Sequence, residues 1–303
     1  MAMLRHQASI YDAHTHCFPC ELGQSAPAWA QQHRELHWAK LVAPKGRASI
    51  QGWSDLQQML THMDAAGVEK ACLLGWYWEN ESTCLWHNQL MANWLQTAPD
   101  RLVAFAAVLP NAQVVEQLER ARDQGFCGVG ELHPGVQGFS SVDPHWRTLA
   151  DWCVSQQWPV NLHATEAAGA SLRDRVATPL QDFVAMAEQH PLLKLILAHW
   201  GGGLPFFEHN QRLKKRLRNV YYDTSASPLL YAPAVFRQVI DAVGIDKIIF
   251  GSDYPLKLFP KHQKEADMQP YIDYVLHELD LTHAEQPAIF MDNFVKTLPV
   301  GFV

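Results

Sequence analysis

The stretch YDAHTH at residues 11–16 decides between two α/β folds. The apolar run at 8–11 that leads into it is typical of a first β-strand. In a doubly wound open sheet the first strand usually leads into a glycine-rich phosphate loop. Here it leads instead into a His-x-His pair, His14 and His16. On a strand both imidazoles point to the same face, where they can offer two nitrogen ligands to one metal ion.

The rest of the chain alternates between short apolar runs and segments with helical periodicity. The runs are mainly apolar rather than alternating, as expected for strands with both faces buried in a parallel sheet. The predicted strands are 8–11, 70–74, 102–109, 128–132, 159–163, 194–198, 220–223 and 247–250. The predicted helices are 56–66, 86–96, 112–124, 144–157, 180–189, 204–217, 234–243, 270–279 and 284–294. Eight strand–helix units predict an α/β fold, a (β/α)8 TIM barrel in which residues 1–303 form one domain.

The segment at 17–52 is predicted to be a long loop after strand 1. It holds three prolines and three glycines among aromatic residues, and a connection of this length often forms a lid or a substrate loop. Cys17 and Cys20 form a Cys-x-x-Cys in it, without a second Cys or His pair at the spacing of a zinc site. The six cysteines are interpreted as reduced and structural, and a redox role of this pair stays open.

Composition narrows the class of protein. The chain is 48% hydrophobic and 18% charged, which is typical of a globular protein. Its net charge of −7 does not favour a nucleic acid partner. The sequence has no apolar run long enough for a membrane span and no signal-peptide pattern at its start, so a cytoplasmic protein is expected. A small-molecule substrate is the expected partner, and a homodimer is possible.

Six ionisable side chains stand where predicted strands end. The carboxyl ends of barrel strands meet at one rim, which is where barrel enzymes hold their active sites. One such residue can stand at a strand end by chance, but several on independent strands are much harder to explain by chance. The six are His14 and His16 after strand 1, Glu131 at strand 4, His163 at strand 5, His199 at strand 6 and Asp253 at strand 8. Their convergence predicts a metal centre at this rim.

These residue types suit metal-assisted chemistry. Neutral imidazoles and carboxylates bind divalent ions such as zinc or manganese. Such an ion lowers the pKa of water that it binds and polarises an electrophile. Asp253 is placed to take the proton of that water and to return it to a leaving group, and His199 to stabilise negative charge. Asp223, at the end of strand 7, is a further candidate that could equally cap a loop.

The motifs resemble those of the amidohydrolase superfamily, and in particular its amidohydrolase-related family. The resemblance extends over roughly residues 8–299 and rests on HTH at 14–16, His163, AHWGGGLP at 198–205 and FGSDYP at 250–255. It implies a TIM barrel in which one metal, usually zinc, is held by four residues and a fifth acts on the substrate or the bound water. The implied ligands are His14, His16, His163 and Asp253, and the fifth residue is His199.

Glu131 adds a two-metal alternative. Family members with one metal often show Lys-Leu-His-Pro after strand 4, whereas this chain has GELHP at 130–134. A carboxylate at this point resembles the metal-dependent deoxyribonuclease branch, in which a glutamate of strand 4 helps to bridge two metals. On that resemblance, His199 would be a ligand of the second metal.

Four functions stay open at this point. The first is a metal-dependent hydrolase of a small organic-acid ester, lactone or amide. The second is a metal-dependent, non-oxidative decarboxylase of an aromatic or muconate-type acid, which would use the same residues. The third is a two-metal deoxyribonuclease or phosphoesterase. The fourth is a barrel that binds a metal or ligand without catalysis.

Candidate substrate contacts lie in the loops that follow the strands. Aromatic residues after strand 2 could contact a substrate or pack under the loops. Basic residues after strands 5 and 8 could hold a substrate carboxylate or lie at the solvated surface. The candidates are Trp76, Tyr77, Trp78, Arg173, Arg175 and Lys257.

Overall fold

Eight parallel strands pair in chain order in one sheet. The structure, a computed structural model, describes residues 9–46, 48–168 and 175–302. The strands are β1 (Ile10–Thr15), β2 (Val68–Leu74), β3 (Leu102–Ala106), β4 (Gly128–Leu132), β5 (Val160–Leu162), β6 (Leu195–Leu197), β7 (Val220–Asp223) and β8 (Ile248–Ile249). The segment after β8 runs beside β1, where Asp253 N–H donates to the His14 carbonyl at 2.9 Å. The predicted (β/α)8 TIM barrel is therefore confirmed.

Helices occupy the connections between the strands. The α-helices are α1 (Cys20–His33), α2 (Leu36–Val42), α3 (Leu56–Ala66), α4 (Glu81–Thr97), α5 (Val114–Asp123), α6 (Pro134–Gln137), α7 (Pro144–Gln156), α8 (Leu180–Gln189), α9 (Gln211–Arg216), α10 (Ser227–Leu230), α11 (Val235–Val243), α12 (Gln269–Asp273) and α13 (Asn293–Thr297). Turns of 3-10 type cover His199–His209 and Ile245–Lys247, and π-helical turns cover Tyr274–Glu278 and Ala288–Asp292. The predicted C-terminal helices are therefore present, as mixed α and π turns.

The strands owe their largely apolar character to burial on both faces. Every residue of β1, β3, β4, β5, β6 and β8 is buried. Helix α3, which belongs to the helical layer around the barrel, has a defined residue at each end. The Asp55 side chain caps it by accepting from Gln58 N–H, and Gly67 ends it in the left-handed conformation. Its buried Met59 and Met63 join the main core.

The prediction of a long loop at 17–52 is wrong, because helices α1 and α2 fall within that range. Pro27 lies inside α1 and was one reason to expect irregular structure. Ser25, at φ −129° and ψ 15°, interrupts the helical geometry just before it. Pro27 therefore lies in the first turn of the second half of α1, where a missing N–H needs no helical partner.

Helices α1 and α2 form a cap that is held on the barrel by aromatic rings and one buried carboxylate. Trp29 and Trp38 of the cap pack on Trp78, which follows β2, with ring centroids 5.6 Å and 5.4 Å from it. The buried Glu35 accepts hydrogen bonds from the backbone N–H groups of Glu79 (2.7 Å) and Asn80 (3.2 Å). These contacts fix the cap over the carboxyl ends of the strands.

The predicted helix at 204–217 is replaced by tight turns and the short helix α9. Residues 199–203, of sequence HWGGG, all have φ between +56° and +90°. Three glycines suit this left-handed run, because other residues adopt it only with strain. The run turns the chain sharply after β6 and holds His199 at the rim.

Gly202→Ala is expected to lower the free energy of unfolding more than Gly67→Ala. Both glycines have left-handed φ values, +60° and +69°, so alanine costs roughly 1–2 kcal/mol at either position. At Gly202 a Cβ would also lie 2.6 Å from the carbonyl oxygen of Thr165, whereas nothing lies within 4 Å at Gly67. Overpacking adds about 1–3 kcal/mol. Urea unfolding followed by circular dichroism measures the difference, and equal losses would contradict the clash.

The structure also bears on the cysteines and on membrane insertion. All six cysteines are free thiols, and five of them are buried. Within the described ranges, no helix combines the length and the apolar character needed to cross a bilayer.

Candidate active site

The six rim side chains predicted from the sequence meet at the carboxyl end of the barrel. Five of them are buried, while His163 retains 20% side-chain exposure. Among the described residues, five of the six form two overlapping groups of potential ligands, each with donor atoms within 4.8 Å of one another. The groups are His14, His16 and Asp253, and His14, Glu131 and His199. His163 lies beside the second group.

The first group has the geometry of an ion-binding site. Nε2 of His14 and Nε2 of His16 each lie 3.7 Å from Asp253 Oδ1. Both nitrogens are buried, and neither has a hydrogen-bond partner among the described residues. A distance of 3.7 Å is too long for a hydrogen bond. Two ligands that each lie about 2.1 Å from one ion can be up to about 4.2 Å apart, so these residues fit a metal.

The opposite ring nitrogens orient the two imidazoles. His16 Nδ1 lies 3.2 Å from the Leu74 carbonyl, which can only accept, so Nδ1 carries the proton and Nε2 presents its lone pair. His14 Nδ1 lies 2.9 Å from Asp223 Oδ2. Partners of this kind hold metal-binding histidines in place in many proteins. Both Nε2 lone pairs are therefore directed at the same space.

Asp223 organises the rim beyond its contact with His14. Its Oδ2 also accepts from Asn161 Nδ2 at 3.2 Å, and its Oδ1 accepts from the His199 backbone N–H at 3.0 Å. The sequence alone did not decide whether Asp223 is a functional residue of the rim or a residue that caps a loop. Its position at the end of β7 was the available signal, but its partners on β1, on β5 and in the turn after β6 become visible only in the folded barrel.

Glu131 connects the two groups through its two oxygens. Oε2 faces His14 and His16, with distances of 3.9 Å and 3.8 Å to their Nε2 atoms. Oε1 is 2.9 Å from His163 Nδ1 and 3.3 Å from His199 Nε2. His199 Nδ1 lies 2.9 Å from the Ser225 hydroxyl oxygen. The carboxylate thus spans the rim from β1 to β6.

Burial shapes the electrostatics of the rim. Burial, followed by the charge of His14, lowers the pKa of His16 to about 3, so His16 is a neutral ligand. Burial also raises the pKa of Asp253 to about 7, although the charges of His14 and His199 oppose that rise. The salt bridges described for Glu131, Asp223 and Asp253 all involve histidines. Buried carboxylates need compensating charge. Against the effect of burial, Asp223 and Glu131 raise the pKa of His14 to about 9, so a proton on His14 supplies such charge and a bound cation would take its place.

A cavity of about 550 Å³ opens above these donors. His16, Glu131, His163, His199 and Asp253 are among its lining residues. Much of the remaining wall is aromatic or aliphatic and comes from both the cap and the barrel loops. It includes Phe18, Leu41, Ile50, Trp76, Leu229 and Leu230. The cavity therefore joins a polar donor cluster to an apolar wall, as in many sites for small ligands.

The candidate substrate contacts divide between the cavity and its surroundings. Trp76 and Tyr77 line the cavity, whereas Trp78 packs beneath the cap. Arg175 lines the cavity and forms an ion pair with Glu166. Lys257 is not among the described lining residues. Arg173 lies outside the described residues.

Two cavity histidines, His37 and His133, were not predicted as site residues. His37 belongs to helix α2, so its place in the site depends on a helix that the sequence did not predict. His133 stands two residues after Glu131, at the end of β4. Its spacing from Glu131 was the one signal that could have indicated it, because alternate residues of a strand share a face.

A parallel (β/α)8 barrel with histidines and carboxylates at its carboxyl rim is the class of protein that these observations define. The sequence profile of the Amidohydrolase family matches residues 11–300. The chain therefore belongs to the amidohydrolase family, and the resemblance drawn from its motifs is confirmed.

Solved structures of this fold include both decarboxylases and a hydrolase. A 5-carboxyvanillate decarboxylase from Novosphingobium aromaticivorans, complexed with manganese, has a TM-score of 0.73 and 16% identity, with 97% of this chain and 96% of that chain covered. A dihydroxybenzoic acid decarboxylase from Polaromonas, with bound manganese, has a TM-score of 0.68 and 17% identity, with 96% and 97% covered. A probable 2-pyrone-4,6-dicarboxylic acid hydrolase from Acinetobacter baumannii has a TM-score of 0.63 and 18% identity, with 95% and 98% covered. At these identities the likeness shows the fold alone.

Proposed function

We propose that the protein is a metal-dependent, non-oxidative decarboxylase of an aromatic carboxylic acid. The observation that carries this proposal is the meeting of a buried donor cluster with a cavity whose walls are largely aromatic and aliphatic. A flat ring fits such walls, while its carboxylate can reach the donors. Two structural neighbours are decarboxylases of aromatic acids. On this support we favour decarboxylation over hydrolysis, which was the first expectation from the sequence.

The residues that would hold the metal are His14, His16 and Asp253, with Glu131 and His199 beside them. A bound divalent ion would supply positive charge that holds and polarises the oxygen atoms of the substrate. Histidine and carboxylate donors suit zinc or manganese. Zinc was the expectation from the sequence, and manganese is the ion in both decarboxylase neighbours. Metal analysis of the purified protein distinguishes the two.

The apolar wall would bind the substrate ring and exclude water. Phe18 and Trp76 lie on the side of the cap and β2, with ring centroids 6.4 Å apart. Leu229 and Leu230, from helix α10, also line the cavity. Ring burial between such side chains contributes roughly 25 cal/mol per Å² of apolar surface. Exclusion of water also protects the developing negative charge on the ring from solvent.

Asp253 would supply the proton. The bond between the ring carbon and the carboxylate breaks, carbon dioxide leaves, and the electron pair stays on the ring carbon. That carbon then takes a proton from the Asp253 carboxyl group, which gives the arene. Asp253 is placed for this transfer because it lines the cavity and is 94% buried, its side chain lying between His14, His16 and His199. His199 Nδ1 lies 3.8 Å from Asp253 Oδ2, which is too far for a hydrogen bond but close enough for the charge of His199 to act on the carboxyl group.

A substrate panel tests the proposal. Protein loaded with manganese or zinc is incubated with benzoates that carry hydroxyl or methoxy groups, with muconate-type acids, and in parallel with lactones, esters and a phosphodiester. We expect carbon dioxide and the matching arene from at least one aromatic acid, at a rate that depends on the metal. Hydrolysis of a lactone or ester without carbon dioxide would contradict the proposal and restore the hydrolase expectation, for which the pyrone hydrolase neighbour is the support.

A further inference from the structure

We propose that His133, together with Tyr77, forms a second polar subsite of the cavity that binds a hydroxyl group on the substrate ring. This inference rests on the proposed function, because it names a substituent of the same substrate. It concerns residues outside both groups of potential metal ligands. It would make His133 a residue that determines specificity.

His133 is fixed by the end of its strand and by the helix that follows. It comes directly after β4 and directly before α6. Its backbone N–H donates to Gln137 Oε1 at 3.0 Å. The residue is 1% exposed, and it lines the cavity. The imidazole is thus a built part of the wall rather than a mobile surface group.

Ring contacts place this subsite beside the donor cluster. The His133 ring stacks on His163 with a centroid distance of 4.7 Å and an interplanar angle of 16°. Tyr77 meets His133 and His163 edge-on or tilted, at 5.1 Å and 5.2 Å. His163 in turn hydrogen-bonds Glu131. His133 and Tyr77 therefore both contact His163, which contacts the donor cluster directly.

His133 contacts the Val176 backbone by a hydrogen bond, but one of its ring nitrogens is left over. Its buried Nδ1 has no hydrogen-bond partner among the described residues. Buried polar groups in proteins are nearly always hydrogen-bonded, so the atom calls for a partner that enters the cavity. A hydroxyl group suits Nδ1 in either tautomer, because a hydroxyl both donates and accepts. The Tyr77 phenol, on the same wall, adds a second group of this kind.

The charges around the cavity favour a neutral substituent at this subsite. Among the described lining residues, Arg175 is the one Arg or Lys, and Glu166 is its ion-pair partner. Glu131 and Asp253 add negative charge to the lining. A second carboxylate on the substrate would meet these groups without a cation assigned to it. A hydroxyl group satisfies Nδ1 without adding charge.

Two variants and a set of simple benzoates test the inference. His133→Phe keeps a flat ring of similar size and removes both nitrogens, while His133→Asn keeps a hydrogen-bonding group near Nδ1. Calorimetry of the metal-loaded protein measures the affinity for benzoate and for 2-, 3- and 4-hydroxybenzoate. In the natural protein we expect at least one hydroxybenzoate to bind about 5- to 100-fold more tightly than benzoate. His133→Phe should reduce this preference to about twofold or less, and His133→Asn should retain part of it.

Controls separate this result from general damage. His190 is a buried histidine outside the cavity lining, and His190→Phe should leave the hydroxyl preference unchanged. Thermal unfolding and metal content are measured for each variant, and Tyr77→Phe carries the test if His133→Phe does not fold. An unchanged preference in His133→Phe and Tyr77→Phe, or no preference in the natural protein, would overturn the inference. Loss of the preference without carbon dioxide release from any acid would support the subsite and contradict the proposed function.

Discussion

Asp253→Asn is expected to lower the rate of carbon dioxide release by about 10²- to 10⁴-fold, the usual contribution of a positioned acid or base. An amide cannot supply the proton that the ring carbon needs when the carboxylate leaves. Because Asp253 Oδ1 also faces His14 and His16 at 3.7 Å, the variant should bind metal less tightly as well. The rate is therefore measured at saturating manganese, with metal content determined on the same sample.

Glu166→Gln is the matched control for Asp253→Asn. It removes a negative charge from the same cavity, but from a residue outside both groups of potential metal ligands. We expect it to change the rate by less than about tenfold, since its main effect is on the partner of Arg175. A fully metal-loaded Asp253→Asn protein that releases carbon dioxide at the natural rate would eliminate Asp253 as the proton donor.

The barrel could be predicted from the sequence because each strand carries a local signal. The residues at 102–109 and 195–198 are apolar throughout, and β3 and β6 lie within these runs. Strand ends were also readable, since polar residues follow the apolar run where the chain reaches the rim. For that reason His14, Glu131, His199 and Asp253 could be named before their distances were known. Their roles as ligands stay predictions.

The cap could not be predicted because its stability comes from contacts distant in sequence. Helix α1 carries Pro27 and a break at Ser25, and the sequence pattern alone favours a loop there. The packing of Trp29 and Trp38 on Trp78 holds it in place. Glu35 adds a hydrogen bond that it accepts from the turn after β2. Tertiary packing of this kind overrides local propensity.

Asp223 and His133 show the same limit at the site. Each stands near a strand end, but from position alone Asp223 could equally cap a loop, and His133 was not predicted as a site residue. Asp223 became identifiable when its carboxylate was found 2.9 Å from His14 Nδ1, a partner 209 residues away. His133 became identifiable when its Nδ1 was found buried and without a partner among the described residues. Both properties depend on side-chain register across the barrel.

Removal of the metal with a chelator is expected to reduce carbon dioxide release to background, and one equivalent of manganese or zinc should restore it. We expect His16→Ala to lose most of the bound metal, since it removes one of the two imidazole Nε2 atoms that face Asp253 Oδ1 across the proposed metal position. Asp223→Asn should weaken binding by about 10- to 100-fold, as is usual when the partner of a metal-binding histidine is changed. Mass spectrometry of the metal content after dialysis measures each variant, and the exposed His209→Ala serves as control.

Stoichiometry in the same experiment tests the two-metal alternative. Both groups of potential ligands include His14. Its Nδ1 is engaged by Asp223, so its Nε2 offers one lone pair, which can bind one ion. Since the two groups cannot be filled through His14 at once, we expect them to hold one ion between them and the chain to bind one equivalent. Two equivalents per chain, with cleavage of a phosphodiester, would contradict this expectation and favour a second ion held by Glu131 with His163 and His199.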